Sequence, residues 1–457
     1  IGWEKLPTRV EGVIETRINR LAPELRGLLK VASVEGQTFT AEVVARVRDL
    51  DAGRVVDALS GDLTRRYHLV EAGGVREVDG RRLARYHFSH SLFQRYLYQT
   101  IDPVQRVYLH EAVGDALEVL HQGRTEEIAG RLARHFEEAG SLARAVRYLR
   151  QAGDAALRVY AKPEAIITFR RAVDLARRID AGGEELTTLY TRLGFALDAN
   201  LEHERAAATY EEMERLARQR GDRSMLLASL VARVSLYGAP TAVHDTEAGR
   251  AFGERALVLA RELGDRATEV SILRGLSLAN FFASRLGAAT EQGERSLALA
   301  RQLGLREEVA RVLHVLGTLI YLYSGRVHEA IEALEEAADL FVEFGNEVLL
   351  ADTLGGASIA HLYVGEYDRG IALSERSLEI SHSAKDVWGQ SYSQLAVTEA
   401  YRQRGEYGRA LEVAEEAIRL GELASFISAQ THTRARLSLV YADLGALDRA
   451  LALSEGA

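Results

Sequence analysis

A small residue that returns about every 40 positions is the feature that most constrains the fold of this 457-residue chain. Each one stands just after a Gly-containing turn, and successive members are 43, 40, 41, 40, 40 and 40 residues apart. The recurring residues are Ala206, Gly249, Ala289, Ala330, Gly370, Ala410 and Ala450. Two segments with helical apolar spacing flank each turn, so the period predicts a series of helix–turn–helix hairpins.

Helix ends recur with the same period. Glycine is followed by Asp or Asn at Gly221-Asp222, Gly264-Asp265 and Gly345-Asn346. A glycine with positive φ commonly ends a helix, and an Asp or Asn side chain can cap the helix that follows. These pairs therefore predict where one hairpin ends and the next begins.

The frame around the small residue resembles the tetratricopeptide repeat. Tyr401 and Tyr441 each precede a glycine, which an alanine follows five positions later. The resemblance implies a right-handed α-solenoid of about seven hairpins, each helix being roughly one turn longer than in the common unit of about 34 residues. Thr398 and Ser438 stand where glycine is usual, and residues 238–246 predict a longer loop. HEAT-type repeats are the alternative at this period.

Ligand-binding residues of such an array are expected on the inner, concave face of the first helices. Counting from the repeat frame, the expected groove residues are Arg274, Leu278, Phe281, Arg311, His314, Tyr363, Tyr392, Arg402 and His432. Arginines with aromatic side chains suit an acidic or peptide ligand. The alternative is that these side chains are merely solvated.

Residues 1–121 follow a different pattern, in which amphipathic helices precede short alternating runs. One helix is predicted from Leu6, a second from Pro23, a third after Thr40 as N-cap and a fourth over residues 52–66. The turn dipeptides Gly73-Gly74 and Asp79-Gly80 then predict a small β-hairpin. Helices followed by a hairpin are typical of a winged-helix domain.

Two bridging helical hairpins are expected over residues 122–182, with a turn at Gly140 and a helix beginning at Pro163. The repeat array then occupies residues 183–457. The predicted organisation is thus mostly α-helical: a winged-helix domain (1–121), bridging hairpins (122–182) and a tetratricopeptide-like superhelix (183–457).

Composition and charge narrow the functional classes. The chain has no cysteine and a net charge of −9. Residues 137–457 carry −10 and residues 1–136 carry +1, which disfavours a long nucleic-acid surface on the repeats. In the N-terminal region Arg81, Arg82 and Arg85 keep DNA binding as an alternative.

The absence of a long apolar run and of a signal-peptide pattern predicts a cytoplasmic protein without a membrane partner. Ile1 and Ala457 are expected to lie inside a longer polypeptide.

No enzyme motif is present in the sequence. G-x-x-x-x-G-K-[ST] does not occur, and no lysine follows a glycine, so this piece is not expected to hydrolyse ATP by itself. We expect no catalytic residue and no metal ligand set.

The segments LPTRVEGVIETRINRLAPELRGLLKVASVEGQTF and YHFSHSLFQRYLYQTIDPVQRVYLHEAVGDALE resemble the region that follows the nucleotide-binding domain in signal-transduction ATPases with numerous domains, the STAND class. Within this class, the segments resemble bacterial predicted ATPases associated with adenylate or guanylate cyclases, and large ATP-binding regulators of LuxR type. Both groups continue into tetratricopeptide arrays.

The resemblance also implies a role for one histidine. STAND proteins carry a Met-His-Asp-Leu signature whose histidine contacts the β-phosphate of ADP, and Ser89, His90, Ser91 and Leu92 fall on it here. His90 would inherit this contact in a full-length protein that binds ATP or ADP. The alternative is that His90 only caps the following helix.

The sequence therefore predicts a non-catalytic regulatory portion of a STAND-type signalling ATPase. The array would bind a protein, peptide or small-molecule signal, and the winged helix would gate the protein's own nucleotide-binding domain and so control a cyclase or transcriptional output. A stand-alone tetratricopeptide receptor or scaffold, with a winged helix that binds DNA or a partner, is the alternative.

Overall fold

The computed structural model describes residues 8–78, 80–238, 242–395, 397–424 and 427–455. The chain divides into two compact units, Ile1–Met213 and Glu214–Ala457. The predicted divisions after residues 121 and 182 both fall inside the first unit and stay predictions. Within the described ranges, no helix is long and apolar enough to cross a membrane.

The first part of the chain combines helices with one small sheet. Its elements are α1 (Thr8–Asn19), α2 (Pro23–Glu35), β1 (Thr38–Thr40), α3 (Ala41–Arg48), α4 (Ala52–Ala58, continued by a π-helical segment, Leu59–Arg66), β2 (Val70–Val78), β3 (Arg81–Phe88), α5 (Ser91–Gln99), α6 (Pro103–Leu120), a short 3₁₀ helix (Thr125–Ile128), α7 (Ala129–Glu138), α8 (Leu142–Arg158), α9 (Lys162–Arg178), α10 (Gly183–Ala199) and α11 (His203–Arg220). Each helix predicted before residue 66 is present. The start of the first, at Leu6, lies outside the described residues.

Thr40 does not cap α3 as predicted. It occupies the N-cap position, but its side chain makes no capping hydrogen bond. Instead, Thr40 Oγ1 and its backbone N–H each donate to the buried carboxylate of Glu35, both at 3.0 Å. Arg131 Nη2 of α7 donates to the same carboxylate at 2.7 Å. Glu35 thus joins α2, β1 and α7 through charge-assisted hydrogen bonds.

The sheet has the strand order β1-β3-β2, with both neighbouring pairs antiparallel. The predicted hairpin is present, but Gly73-Gly74 is not its turn. The register shifts between Ala72 and Val75, and Gly74 has φ +91°, so this pair forms a bulge inside β2. Gly80 has φ +73°, while Asp79 lies outside the described residues. Strand β1 was not predicted.

The second part of the chain consists of paired helices. Its elements are α12 (Arg223–Gly238), α13 (Thr246–Leu263), α14 (Arg266–Phe282), α15 (Leu286–Gln302), α16 (Arg306–Val315, continued by a π-helical segment, Leu316–Tyr321), α17 (Val327–Glu343), α18 (Glu347–Tyr363), α19 (Tyr367–Ser383), α20 (Val387–Ser393), α21 (Val397–Gln403), α22 (Tyr407–Leu423), α23 (Ile427–Asp443) and α24 (Leu447–Glu455). This confirms the predicted mostly α fold, an α-solenoid of helical hairpins.

The helix-end signals are confirmed. Gly221, Gly264 and Gly345 have φ between +65° and +70°. Asp265 Oδ1 accepts from the backbone N–H of Thr268 at 2.9 Å, and Asp222 and Asn346 cap their helices in the same way. Turns inside the hairpins do not all need glycine, however. Leu201 (φ +62°) and Ser284 (φ +59°) occupy the left-handed position before Ala206 and Ala289.

The two irregular steps of the repeat have separate causes. The 43-residue step contains the chain between α12 and α13, of which residues 239–241 lie outside the described ranges. The 41-residue step contains the π-helical segment Leu316–Tyr321. A π turn accommodates one extra residue without ending the helix, so α16 keeps its role in the hairpin.

Serine replaces glycine where paired helices cross. Ser277 Oγ donates to the carbonyl of Ala289 at 2.6 Å, and Ser358 Oγ donates to that of Gly370 at 2.7 Å. In each pair the acceptor is the small residue of the repeat frame, twelve positions later. These two serines therefore fit the crossing because their hydrogen bonds are satisfied there, whereas Thr398 Oγ1, at the equivalent position, is buried without a hydrogen bond.

Candidate functional site

His90 stands at the start of α5, where it is the N-cap residue. Its Nδ1 accepts a hydrogen bond from the backbone N–H of Leu92 at 3.1 Å. Because Nδ1 is the acceptor, a neutral His90 ring carries its proton on Nε2. His90 therefore caps the helix, as the alternative interpretation stated, and it also presents an Nε2–H donor on an exposed side chain.

A cleft of about 670 Å³ lies beside His90 and is also lined by Arg17, His68 and Phe93. Arg17 is held in place there, since its Nη2 donates to the carbonyl of Tyr67 at 3.0 Å and its guanidinium lies 5.2 Å from the Phe93 ring centre. Imidazole and guanidinium donors beside a helix N-terminus suit phosphate oxygens. These residues therefore fit a phosphate group such as that of ADP.

The groove predicted on the first helices of the hairpins has a common register. Arg311, Tyr392 and His432 are each the sixth residue of α16, α20 and α23. The sixth residue of α18 is Asp352, which the sequence analysis missed. Steps of 41, 40 and 40 residues connect the four positions, so a regular step of 40 residues back from Tyr392 could have found it.

The three groove arginines Arg274, Arg311 and Arg402 all have carboxylate partners. Arg311 Nη2 donates to Glu307 at 2.6 Å, and Arg402 bonds Glu399 at 2.7 Å and Asp443 at 2.6 Å. The carboxylates of Glu399 and Asp443 raise the pKa of Arg402 above its ordinary value. Because the charges are compensated, these arginines attract an acidic ligand less than the sequence suggested.

Arg274 and His314 are half-buried residues of the groove. Arg274 Nε lies 3.6 Å from Glu308 Oε2, and both atoms are buried without a hydrogen bond. His314 Nδ1 lies 3.0 Å from Thr353 Oγ1, which donates to a backbone carbonyl and so accepts from the imidazole. Burial, with a smaller contribution from the Arg274 charge, lowers the pKa of His314 to about 4, so the ring is neutral near pH 7.

Asp352 is the least compensated acid of the groove. Its Oδ1 is buried and has no hydrogen-bond partner among the described residues. Burial, with a smaller contribution from Asp386, raises the pKa of Asp352 to about 8. The neighbouring Tyr392 stacks on Trp388 with ring centres 5.0 Å apart, and burial followed by the Asp352 charge raises the pKa of Tyr392.

Aromatic side chains extend the groove at the ends of the first helices. Phe281 and Tyr323 meet edge to face with ring centres 5.3 Å apart. Tyr323 is 61% exposed and Tyr363 is 63% exposed, and the two stand 40 residues apart. Tyr323 was missed, although this spacing could have found it. Leu278 is half-buried, while His432 is exposed on α23.

The structure therefore connects part of the predicted set directly. Arg274, His314 and Phe281 make contacts between successive first helices, and Tyr392 lies beside Asp352. Arg402 contacts α23 through Asp443. In the described part of the chain, no three His, Cys, Asp or Glu side chains are grouped to hold a metal ion.

No protein-family model matches this chain, and no curated protein matches it. Solved structures do. A STAND protein with a tetratricopeptide repeat sensor from Pyrococcus horikoshii is similar over 99% of this chain and 65% of its own, with a TM-score of 0.62 at 14% identity. This chain thus spans about two thirds of that protein's length.

Two further structures have lower scores. The apo form of the quorum sensor NprR from B. thuringiensis is similar over 76% of this chain and 98% of its own, with a TM-score of 0.49 at 12% identity. A Rap protein complexed with competence and sporulation factor is similar over 76% and 94%, with a TM-score of 0.44 at 14% identity. The likeness to the P. horikoshii protein supports the tetratricopeptide-like fold.

Proposed function

We propose that this chain is the non-catalytic sensor portion of a STAND-type signalling ATPase. In this proposal residues 1–121 form a winged-helix domain that contacts the protein's own nucleotide-binding domain. The repeat region, residues 183–457, binds a protein, peptide or small-molecule signal in the cytoplasm. The observation that carries the proposal is the similarity of fold to one STAND protein over nearly the whole chain.

His90 is the residue that would couple the two parts to nucleotide. ADP held by the nucleotide-binding domain supplies phosphate oxygens, and His90 Nε2–H is a donor for them, with Arg17 and His68 lining the same cleft. Signal binding to the repeats favours an open, ATP-competent state only if the signal binds that state more tightly. The output, a cyclase or a transcriptional domain, lies outside this chain.

Two substitutions in the protein carrying its nucleotide-binding domain test this role. His90→Ala removes both the helix cap and the donor, whereas His90→Asn keeps an N-cap acceptor for Leu92 and removes the imidazole. Both variants should bind ADP about tenfold more weakly, as expected for the loss of one hydrogen bond to a charged group. His87→Asn, which alters an imidazole paired with Glu71, is the control.

The measurement is ADP affinity by calorimetry, together with the basal output of the protein. If His90→Ala and His90→Asn both leave ADP affinity and basal output unchanged, the proposed role of His90 is wrong. If only His90→Ala weakens binding, His90 acts as a helix cap rather than as a phosphate contact.

A stand-alone peptide receptor is the second candidate, and the exposed Tyr323 and Tyr363 favour it. Large exposed aromatic side chains commonly anchor peptides. Selection of a displayed random-peptide library on this chain should then return binders that the Tyr323→Ala, Tyr363→Ala double variant loses. Such binders, in a protein whose complete sequence lacks a P-loop, would favour this candidate over the first.

A further inference from the structure

A second cleft in the first unit lies among α2, α3, α5 and α6, and its charges are all of one sign. Its volume is about 520 Å³, and its charged lining residues are Arg26, Lys30 and Arg48. No acidic side chain lines it. This cleft does not share a residue with the cleft beside His90.

The three cations are brought together by the fold. Arg26 and Lys30 are four residues apart on α2, and therefore lie on the same face of the helix. Arg48, at the end of α3, reaches the same face beside Gly27. A Cβ on Gly27 would lie 3.2 Å from Arg48 Nη2. The glycine thus leaves room for a guanidinium against the α2 backbone, between two other positive charges.

This grouping has no counter-charge within the described residues. None of the three side chains has a carboxylate within 4.0 Å, in contrast to most arginines of the chain. Arg26 Nη1 has only Asn19 Oδ1 as a distant acceptor, at 3.5 Å, and Arg26 Nε is buried without a hydrogen bond. Like charges four residues apart slightly destabilise a helix, and a bound anion would offset this repulsion. Arg26 and Lys30 are half-buried and Arg48 is exposed.

The remaining lining is mixed. Asn19, Thr100 and Gln105 are polar, whereas Pro23, Tyr96 and Leu109, which are exposed or half-buried, form an apolar wall. The volume falls in the range of small-molecule sites. Guanidinium groups match the oxygens of phosphate with paired donors, whereas apolar and aromatic walls accommodate a carbon skeleton.

We infer that this cleft is a binding site for a phosphorylated small molecule with an aliphatic or aromatic part. Arg26, Arg48 and Lys30 bind the phosphate oxygens, and Tyr96 with the apolar wall contacts the organic part. The inference does not depend on the proposed sensor function, since it rests only on residues 18–109.

Calorimetric titration of the whole chain with inorganic pyrophosphate, inorganic phosphate and phenyl phosphate tests the inference. Arg26→Gln and Arg48→Gln should each weaken pyrophosphate binding at least tenfold, and Lys30→Gln should weaken it severalfold. Arg82→Gln is the matched control, because Arg82 is an exposed arginine on β3 of the same unit and should change affinity less than twofold. Circular dichroism checks that each variant is folded.

Phenyl phosphate should bind at least fivefold more tightly than inorganic phosphate, because only the former contacts the apolar wall. Absence of pyrophosphate binding would overturn the inference. An equal loss of pyrophosphate affinity in Arg82→Gln would also overturn it, since binding would then depend on the overall positive charge rather than on this cleft. Equal affinities for phenyl phosphate and inorganic phosphate would overturn the assignment of an organic ligand.

Discussion

Lowering the pH from 7 to 5 should destabilise the first unit through two buried histidines. His110 of α6 and His135 of α7 face each other with their Nδ1 atoms 3.0 Å apart. Tyr98 Oη lies 2.9 Å from His110 Nε2, and Arg134 donates to His135 Nε2 at 3.4 Å. Because Arg134 can only donate, neutral His135 carries its proton on Nδ1 and donates it to His110. A second proton on either ring disrupts this chain of hydrogen bonds.

The magnitude follows from the pKa values. Burial, with a smaller contribution from the Arg134 charge, lowers the pKa of His110 to about 4 and that of His135 to about 2. The ordinary value in an unfolded chain is about 6.5. The folded state therefore binds fewer protons, and its stability is complete above pH 6.5 and falls as the pH drops towards 4. At pH 5 the loss is about 2 kcal/mol for His110 alone.

The assay is hydrogen exchange by mass spectrometry of peptides from α6 and α7, measured between pH 7 and pH 5 after correction for the intrinsic exchange rate. His110→Gln can accept from His135 and donate to Tyr98 but does not titrate, so it should show about half of the pH dependence. His87→Gln, at an exposed histidine, should behave like the unaltered protein. Identical pH profiles for His110→Gln and the unaltered protein would refute the reasoning. So would NMR titrations that give both imidazole rings a pKa near 6.5.

Three further predictions concern the second unit. Asp265→Ala should lower the free energy of unfolding by about 1 kcal/mol, because Thr268 loses its capping acceptor; chemical denaturation measures this, and no change would contradict the cap. Gly293→Ala should cost about 1–3 kcal/mol, since its Cβ would lie 2.6 Å from Leu316 Cδ2. Gly287→Ala, on the same helix with nothing within 4 Å, should not destabilise, and equal effects would contradict the packing argument. Asp352→Asn should increase stability at pH 8 more than at pH 5. Burial raises the pKa of Asp352 to about 8, so the folded state holds a proton that the unfolded state releases above about pH 4, and stability falls as the pH rises from there to about 8. A pH-independent effect of Asp352→Asn in thermal denaturation would contradict this.

The hairpins and the N-terminal helices could be predicted because local patterns determine them. Apolar spacing marks each helix, and the glycines and caps at Gly264-Asp265 and its equivalents mark the ends. Strand β1 has three residues and forms only because β3 supplies its partner. Thr40 bonds Glu35 rather than its own helix because the buried carboxylate competes for it. Such outcomes depend on contacts that a single sequence does not display.

The candidate groove was predicted in part for a similar reason. Counting from the repeat frame placed Arg311 and Tyr392 in one register but passed over Asp352, which lies 40 residues before Tyr392 and 41 after Arg311. From the sequence alone, the groove arginines also counted as free positive charges available to an acidic ligand. Their carboxylate partners lie on the same or on neighbouring helices, and only packing shows that these charges are compensated.

The π-helical segment Leu316–Tyr321 makes the hairpins unequal building blocks. In a regular α-helix one extra residue would turn everything after it by about 100°. The π turn takes up this residue locally, and Tyr323, which follows it, keeps the regular spacing of 40 residues to Tyr363. Positions before the segment, such as Arg311, are 41 residues from their equivalents on the next first helix. A hairpin exchanged for α16–α17 would therefore have to be aligned separately before and after residues 316–321.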